Sequence, residues 1–384
     1  MINDFLSVAS IYTVIVGTYF GVRLLLHFFN KPYKKPHHTS STLAIPVYQE
    51  NPEHFERCLR SCIDEKPDEI IVVDDGSKDL KCYEIASAYS KTNPSLKVVR
   101  FEMNAGKRFA QAYAFLEAKG EIIVTVDSDT QLQNGSLAEL TKPFQNKRIG
   151  AVAGLLTAEN SDDNALTKVL SMRYIIAGVF ERAAYSYFQV VNCASGPLSA
   201  YRRSLILNNL QAYIGQVHRG KRCTFGDDRH LTGLILKSGF NVFFQKTAMA
   251  YTVVPNRLGK FATQQLRWNR SFWRENWFSL HWMWRRSKYL TMGTIMDSIM
   301  PFLYLGSLFW SLWNHYFSLG LFLFVPYIAT ASLMAYIRHF EYFRLTRKKD
   351  YLIAPIYAWL HTFLLLPISL FALFTTNKTG WGTR

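Results

Sequence analysis

The sequence predicts an α/β domain with a mostly parallel sheet and helices on both faces, fused to α-helical transmembrane and interface helices. Three observations support this fold class. Short β-rich runs alternate with amphipathic helical stretches over residues 41–250, as in parallel sheets covered by helices. An apolar run fills residues 5–29, and further apolar blocks follow residue 290.

The β-rich runs and the helices between them define the predicted sheet. Five runs are predicted as strands, at 42–47, 70–73, 97–101, 122–126 and 151–155. Amphipathic helices fit between them at 52–62 and 107–118. In such sheets a ligand binds beyond the carboxyl ends of the strands, so the polar clusters found there mark the candidate site.

The N-terminal segment, residues 1–37, is predicted to contain a transmembrane helix and a basic linker. The apolar run at 5–29 is about long enough to span a bilayer. Lys31, Lys34 and Lys35 follow it. Because cytosolic flanks carry the excess of lysine and arginine, we place this linker in the cytosol and the N-terminus outside. The run lacks a basic leading region and a small-residue cleavage site, so a removed signal peptide is less favoured.

The segment 256–290 combines aromatic and basic side chains. Its tryptophans and arginines are Trp268, Trp273, Trp277, Trp282, Trp284, Arg267, Arg270, Arg274, Arg285 and Arg286. This composition is typical of helices that lie in the membrane interface. The alternative is a buried core helix with a basic rim.

The C-terminal region, residues 291–373, is predicted to form transmembrane or re-entrant helices. Its apolar blocks lie at about 293–313, 317–337 and 351–373. A basic loop at 344–349 separates the last two and is placed in the cytosol. Pro355 and Pro367 interrupt the last block. Because proline breaks helical hydrogen bonding, we expect a bent or re-entrant hairpin that returns the tail to the cytosol.

Charge and cysteine content narrow the class of protein. Lys+Arg exceed Asp+Glu by 44 to 28, which gives a net charge of +16. This excess suits an anionic membrane surface and phosphate-bearing substrates, and no nucleic-acid motif accompanies it. The five cysteines show no CxxC or zinc spacing, so we expect reduced thiols that face the cytosol.

Acidic residues follow two of the predicted strands. Asp74 and Asp75 end one β-rich run, where a carboxylate could accept from a uracil N–H or a ribose hydroxyl; an Asx-turn is the alternative, since Asp-Gly is a common turn pair. Asp127 and Asp129 follow another run. Two acids spaced in this way can offer oxygen ligands to a divalent cation that bridges a diphosphate.

Two further motifs begin helices. Gly106-Lys107-Arg108 offers backbone N–H groups and two cations, which suit a phosphate; a solvated basic helix start is the alternative. In the string 226–229, Gly-Asp-Asp-Arg, one carboxylate, Asp228, would take the proton of a sugar hydroxyl. Asp227 or Arg229 would hold the Asp228 carboxylate in position. Both acids could instead be helix N-caps.

The string Gln264-Gln265-Leu266-Arg267-Trp268 lies between the predicted catalytic domain and the membrane segments. Arg267 suits a pyrophosphate, because its planar fork binds phosphate oxygens in pairs. Trp268 suits stacking on the apolar face of an acceptor sugar.

Together these strings resemble the processive family 2 glycosyltransferases with a GT-A fold, which include cellulose, chitin and hyaluronan synthases. The sequence is most similar to class I hyaluronan synthases over residues 40–384. The matching strings are at 72–77, 106–108, 125–130, 181–184, 195–198, 223–229, 264–268 and 381–384. Segments at 229–240 and 253–259 resemble rhizobial nodulation chitin-oligosaccharide synthases. The single N-terminal span departs from the two usual in hyaluronan synthases.

The resemblance implies a role for each matched residue. Asp228, with Asp227, would be the catalytic pair, and Asp127 with Asp129 would bind Mg²⁺ or Mn²⁺. The donor UDP-sugar would meet Asp74, Asp75, Lys107, Arg108, Asp127, Gln264, Arg267, Trp381 and Arg384. The acceptor would meet Trp268, Ser195, Gly196, Cys193, Cys223 and Arg229. The last four residues of the chain would form a gating loop.

The expected protein is a multi-pass synthase of the plasma membrane with its catalytic domain in the cytosol. Its regions are 1–37, a catalytic domain at 38–255, interface helices at 256–290, membrane helices at 291–373 and a gating segment at 374–384. It would polymerise hyaluronan from UDP-GlcNAc and UDP-GlcA by inverting transfer and secrete the growing polysaccharide through its own channel.

Other functions remain open at this point. Within the class they are a chitin-oligosaccharide synthase that uses UDP-GlcNAc alone, or a synthase of another β-linked capsular glycan. A single-sugar lipid glycosyltransferase is less favoured, because it needs no polymer collar, and so is an inactive transporter or scaffold. Partners are the two UDP-sugars, the polysaccharide and the bilayer, with no nucleic acid and no obligate protein partner.

Overall fold

The structure, a computed structural model, describes residues 2–316 and 324–380. Its strands are β1 (Ser41–Val47), β2 (Glu69–Asp74), β3 (Leu96–Arg100), β4 (Ile122–Thr125), β5 (Thr130–Leu132), β6 (Ile149–Ala158), β7 (Ser199–Arg202), β8 (Val217–His218), β9 (Lys221–Arg222) and β10 (Asn241–Thr252). All five predicted strands are confirmed, as β1, β2, β3, β4 and β6.

Helices connect the strands, begin the described chain and make up most of it after residue 258. They are α1 (Ile2–Phe29), α2 (Pro52–Asp64), α3 (Lys81–Ser90), α4 (Lys107–Glu117), α5 (Ser136–Thr141), α6 (Ala165–Ile176), α7 (Ala183–Tyr187), α8 (Arg203–Ile214), α9 (Asp227–Lys237), α10 (Leu258–Leu280), α11 (Met283–Arg286), α12 (Lys288–Tyr316), α13 (Phe324–Thr346), α14 (Ala354–Leu360) and α15 (Leu366–Phe374). The predicted helices at 52–62 and 107–118 are confirmed as α2 and α4.

The main sheet is mixed rather than mostly parallel. Its order is β3-β2-β1-β4-β7-β6-β10-β5, and four of its seven pairings are parallel. Strand β7 runs antiparallel to both β4 and β6, and β5 runs antiparallel to β10. The prediction of parallel pairing is therefore confirmed for four of the seven pairings, while β7 and β5 add antiparallel pairings that it did not include.

Helices cover both faces of the sheet, as predicted. On β1, Ala44 packs into one core cluster, while Leu43 and Ile45 pack into the other. Helices α2 and α3 cover the second cluster, and α4, α6, α8 and α9 cover the first. Burial on both faces explains why β1, β2 and β4 read as nearly continuous apolar runs.

The carboxyl ends of β1, β2 and β4 meet at one edge of the sheet. Val47 at the end of β1 is in register with Asp74 at the end of β2, and Ala44 is in register with Thr125 of β4. The two predicted acidic motifs therefore lie at the same edge.

The C-terminal helices differ from the predicted hairpin. Helical structure continues through Lys349–Phe374, and a π-helical turn at His361–Leu365 joins α14 to α15. Pro355 lies just after a 3₁₀ turn, Lys349–Ile353, and Pro367 just after the π-turn, and such local changes of helix type accommodate the missing N–H. The chain does not turn back within this run, and the return of the tail to the cytosol stays a prediction.

Among the described residues, one helix is long and apolar enough to cross a bilayer. It is the 26-residue run Lys349–Phe374, and the apolar part of α1, Val14–Phe29, is shorter. Helix α15 packs along α10, where Trp273 Nε1 donates to the Ser369 carbonyl at 2.9 Å. The C-terminal helical run is thereby attached to the helix that carries the Gln264–Trp268 string.

Candidate active site

The acidic pair at the end of β2 is buried and hydrogen-bonded. Asp74 and Asp75 are each 1% exposed. The Asp75 carboxylate accepts from the backbone N–H groups of Ala105 and Gly106 at 2.8 and 2.9 Å, and from Asn104 Nδ2 at 2.9 Å. Burial raises the pKa of Asp75, and the backbone hydrogen bonds offset part of that effect. Asp75 therefore fixes the turn that begins α4.

Asp74 makes a turn of its own, the alternative weighed for this motif. Its Oδ1 accepts from the Ser77 backbone N–H at 2.7 Å. Between them Gly76 has φ +70°, and a Cβ at Gly76 would lie 2.5 Å from the carbonyl carbon of Met103. The turn after β2 is therefore packed directly against the backbone that leads into α4.

The Lys107 ammonium group pairs with the first acid after β4. Its Nζ lies 2.5 Å from Asp127 Oδ1. Burial would lower the pKa of Lys107, but the charges of Asp127 and Asp227 raise it. The second acid, Asp129, accepts from Thr252 Oγ1 at 3.4 Å. The Lys107 ammonium group therefore lies at the edge where the strands end, together with the carboxylates of Asp127 and Asp129, which come from a single turn.

The backbone at Gly196 joins these groups to the acid of α9. A Cβ built on Gly196 would lie 3.5 Å from Asp127 Oδ1 and 3.7 Å from Lys107 Nζ. The Gly196 N–H donates to Asp228 Oδ2 at 3.3 Å. Lys107, Asp127 and Asp228, which are widely separated in sequence, therefore surround one point of the chain.

Two side chains complete the surroundings of Asp228. Cys193 Sγ lies 3.6 Å from Asp228 Oδ2. Burial, together with the charge of Asp228, raises the pKa of Cys193 to about 12, so the thiol stays protonated at neutral pH and donates to the carboxylate. Arg182 donates to the Ser195 hydroxyl and, at 3.2 Å, to the Cys193 carbonyl. Arg182 thus holds the loop that carries Cys193 and Ser195.

Arg182 was missed as a site residue by the sequence reasoning. It ends a π-helical turn, Ala177–Arg182, between α6 and α7. A π-turn adds one residue and rotates the positions that follow it, so helical periodicity does not indicate where the Arg182 side chain points. Only its place in the string 181–184 marked it.

Arg108 was predicted to line the donor site, but it lies behind the loop at the start of α9. It is 3% exposed, and its Nε donates to Asp227 Oδ1 at 2.8 Å. Its Nη1 donates to the Tyr213 carbonyl and to Gln216 Oε1, both at 3.0 Å. Arg108 and Asp227 therefore form a buried pair that supports the loop from behind.

Cys223 lies on this same hidden side of the loop. It is 8% exposed, and its backbone N–H donates to the Gln216 carbonyl at 3.0 Å. Burial raises the pKa of its thiol. Of the two cysteines predicted to line the acceptor region, Cys193 is the one in contact with Asp228.

Trp268 of helix α10 lies next to the ring of Tyr174. Trp268 is 43% exposed, and its ring centroid lies 6.3 Å from that of Tyr174. Burial, and then the charges of Asp129 and Asp127, raise the pKa of Tyr174. Tyr174, which the sequence reasoning also missed, lies beside Trp268 and close enough to the acids after β4 for their charges to affect its pKa.

Three other predicted residues, Gln264, Arg267 and Arg229, lie on or near α10. Gln264 and Arg267 are half-buried. Arg229 stacks over the Phe272 ring with its guanidinium carbon 5.3 Å from the ring centroid. Trp381 and Arg384 lie outside the described residues.

Behind Asp228, Glu275 of α10 is the centre of a buried hydrogen-bonded cluster. Its carboxylate accepts from His230 Nδ1 at 2.9 Å, Arg274 Nε at 3.0 Å and Gln216 Nε2 at 2.6 Å. Burial would raise the pKa of Glu275, but His230, Arg274 and Gln216 lower it to about 2. Arg274 also donates to the Phe225 carbonyl.

The chain is similar to known proteins over most of its length. Residues 42–209 match the family model described as Glycosyl transferase family 2. The chain is 34% identical to a hyaluronan synthase of Streptococcus pyogenes over 98% of this chain and 91% of that protein. It is also 34% identical to an N-acetylglucosaminyltransferase of Rhizobium sp. (strain N33), over 90% of this chain and 77% of that protein.

A solved structure shares the fold. The mannosyltransferase PcManGT from Pyrobaculum calidifontis, solved with GDP-Man and Mn²⁺, superposes with a TM-score of 0.60 at 19% identity. The match covers 93% of this chain and 99% of that one. The fold is therefore the GT-A glycosyltransferase fold, with a mixed sheet. With the sequence similarity, these observations show that the chain is a glycosyltransferase and belongs to glycosyl transferase family 2.

Proposed function

We propose that this glycosyltransferase is a membrane-embedded processive synthase that polymerises hyaluronan from UDP-GlcNAc and UDP-GlcA. The observation that supports it most is the meeting of Lys107, Asp127 and Asp228 around Gly196. In the proposed function, Lys107 and Asp127 would serve the donor diphosphate, and Asp228 would serve the acceptor. The similarity to a hyaluronan synthase over 98% of the chain supports the choice of product.

In this mechanism Asp228 is the general base. The acceptor hydroxyl attacks the anomeric carbon of the donor while its proton passes to the Asp228 carboxylate. The bond from that carbon to the UDP oxygen breaks on the opposite face, so the configuration inverts and UDP leaves. The Gly196 N–H and the Cys193 thiol keep the carboxylate in place.

Asp127 and Asp129 are proposed to hold Mg²⁺ or Mn²⁺. Both offer oxygen ligands from one turn, which such cations prefer. No group of three or more His, Cys, Asp or Glu ligands occurs within residues 2–316 and 324–380. A cation held by Asp127 and Asp129 would take further ligands from the donor diphosphate. A bound cation would offset the charge on the departing UDP.

The region boundaries and the membrane topology are also proposals. We infer that α1 and the helices after residue 288 span the membrane, with the catalytic domain on the cytosolic side. The apolar run Lys349–Phe374 supports this arrangement, as does the packing of α15 on α10. The product would pass Trp268 on its way into a channel.

A chitin-oligosaccharide synthase is the second candidate. It is favoured by the equal 34% identity to the rhizobial N-acetylglucosaminyltransferase. The two proposals differ in the number of donors required. Another β-linked glycan made by the same chemistry remains a third outcome.

One assay separates these functions. The purified protein in lipid is given labelled UDP-GlcNAc, with or without UDP-GlcA, in the presence of Mg²⁺ or Mn²⁺. Polymer that requires both sugars and is degraded by hyaluronidase supports hyaluronan. Oligomers made from UDP-GlcNAc alone, and degraded by chitinase, would replace that proposal with the second candidate.

Trp268→Ala is expected to weaken acceptor binding. Loss of ring stacking on the sugar corresponds to about 0.5–1.5 kcal/mol, so the concentration of oligosaccharide acceptor needed for half-maximal transfer should rise up to about tenfold. The KM for UDP-sugar should stay the same. Trp277→Ala is the matched control, since Trp277 lies on the same helix and is 64% exposed. Equal effects of both variants on the acceptor would contradict a specific role for Trp268.

A further inference from the structure

The loop at the start of α9 is held from behind by α10. The Arg274 guanidinium donates to the Phe225 carbonyl and lies over the Phe225 ring, 5.1 Å from its centroid. Glu275 accepts from His230, one turn into α9. The two neighbouring residues of α10 therefore grip the chain on either side of Asp228.

The same cluster extends to α4. Gln216 donates to Glu275 and accepts from Arg108, whose Nε donates to Asp227. The side chains therefore form a chain of hydrogen bonds from α10 through Gln216 to the residue next to Asp228. Arg108, Asp227, Arg274 and Glu275 are all at most 7% exposed.

The close packing of Gly226 limits movement of this loop. It has φ +81°, and a Cβ there would lie 2.0 Å from Ser271 Oγ and 2.8 Å from Arg274 Nη2. Small displacements of Ser271 or Arg274 would therefore reach the loop backbone directly.

The gripping residues share a helix with the predicted acceptor residue. Trp268, Ser271 and Glu275 are spaced by three and four residues, so they follow one side of α10. Seven residues of α-helix separate Trp268 from Glu275, a rise of about 10 Å. One continuous helix, α10, therefore carries both Trp268 and the residues that hold the loop around Asp228.

We propose that Arg274 and Glu275 are positioning residues that set the place of the Asp228 carboxylate relative to the acceptor. This inference rests on the proposed role of Asp228 as general base. Neither side chain touches a reacting atom; they act through Phe225, Asp227 and His230. Stability alone does not account for them, because buried ion pairs often contribute no more stability than apolar residues of similar volume.

The experiment compares Glu275→Gln and Arg274→Lys with wild-type protein in lipid. Glu275→Gln removes one carboxylate oxygen that accepts from a donor, and Arg274→Lys keeps the charge but cannot reach both Phe225 and Glu275. Because a misplacement of about 1 Å can cost about 100-fold in rate, we expect kcat to fall by about 10- to 100-fold. The Kd for UDP and the KM for UDP-sugar should change by less than about twofold, since neither residue contacts the strand-end acids.

Two controls make the result specific. Glu139→Gln removes a carboxylate on α5 that pairs with Lys142, away from the site, and should leave kcat unchanged. Thermal unfolding of each variant shows whether it is folded, and the milder Arg274→Lys carries the test if Glu275→Gln does not fold. A wild-type kcat in folded Arg274→Lys, or a fall in kcat matched by an equal loss of UDP binding, would overturn the inference.

The same assay distinguishes a wrong assignment of Asp228 as the base from a wrong positioning role for Arg274 and Glu275. If Asp228→Asn retains polymerisation in the same assay, the base is assigned wrongly, whatever Glu275→Gln does. If Asp228→Asn abolishes polymerisation while folded Glu275→Gln and Arg274→Lys keep wild-type kcat, only the positioning role is wrong.

Discussion

Asp228→Asn is expected to stop glycan synthesis while leaving UDP binding intact. The amide has nearly the shape of the carboxylate and still accepts from the Gly196 N–H, but it cannot take the proton of the acceptor hydroxyl. General base catalysis contributes about 10²–10⁴-fold, so the initial rate of polymer formation should fall by that factor. The measurement is incorporation of labelled sugar, together with UDP binding by titration calorimetry.

The comparison with Asp227→Asn tests whether the two neighbouring acids have different roles. Asp227 pairs with the buried Arg108, so its loss leaves that cation without its carboxylate and should destabilise the protein by about 3–5 kcal/mol. Asp228→Asn should unfold at nearly the wild-type temperature. Asp162→Asn, an exposed acid, is the control for charge. Substantial polymerisation by Asp228→Asn would refute its assignment as the base.

The parallel half of the sheet was predictable from sequence and the antiparallel half was not. Strands β1, β2 and β4 are buried on both faces, and apolar runs followed by acids identify such strands. Strand β7 has four residues and ends in Tyr201-Arg202, with no alternation that separates it from a loop. It runs antiparallel to β4 and β6, and pairing between segments so distant in the sequence depends on tertiary packing.

The candidate site also contains some residues that could be predicted from the sequence and others that could not. Lys107, Asp127 and Asp228 follow recognisable strand ends or helix starts, so their meeting could be expected from the fold. The direction in which the Arg108 side chain points could not be predicted from the sequence. Neighbouring helix positions differ by about 100°, and the packing of α8 against α4 decides that Arg108 faces Asp227. Arg182 depends on a π-turn, which has no sequence signal in this chain.

Gly226→Ala is expected to impair both folding and catalysis. A side chain at φ +81° costs about 1–2 kcal/mol, and the added methyl group would meet Ser271 Oγ at 2.0 Å. Overpacking of this kind costs about 1–3 kcal/mol more. We therefore expect a loss of about 2–5 kcal/mol in the free energy of unfolding. In the folded fraction, synthesis should fall by at least about tenfold, because the loop must move away from α10 and takes Asp228 with it.

Gly239→Ala separates the two causes of this loss. Gly239 has φ +87°, and a Cβ there would have no neighbour within 4 Å. Gly239→Ala therefore has the unfavourable backbone conformation without a steric clash. This variant should lose about 1–2 kcal/mol in the free energy of unfolding and keep the wild-type kcat. The double variant Gly226→Ala/Ser271→Ala removes the closest contact and should recover part of both stability and rate. If Gly226→Ala behaves like Gly239→Ala in denaturant unfolding and in kcat, the loop is not held against α10 as tightly as its packing indicates.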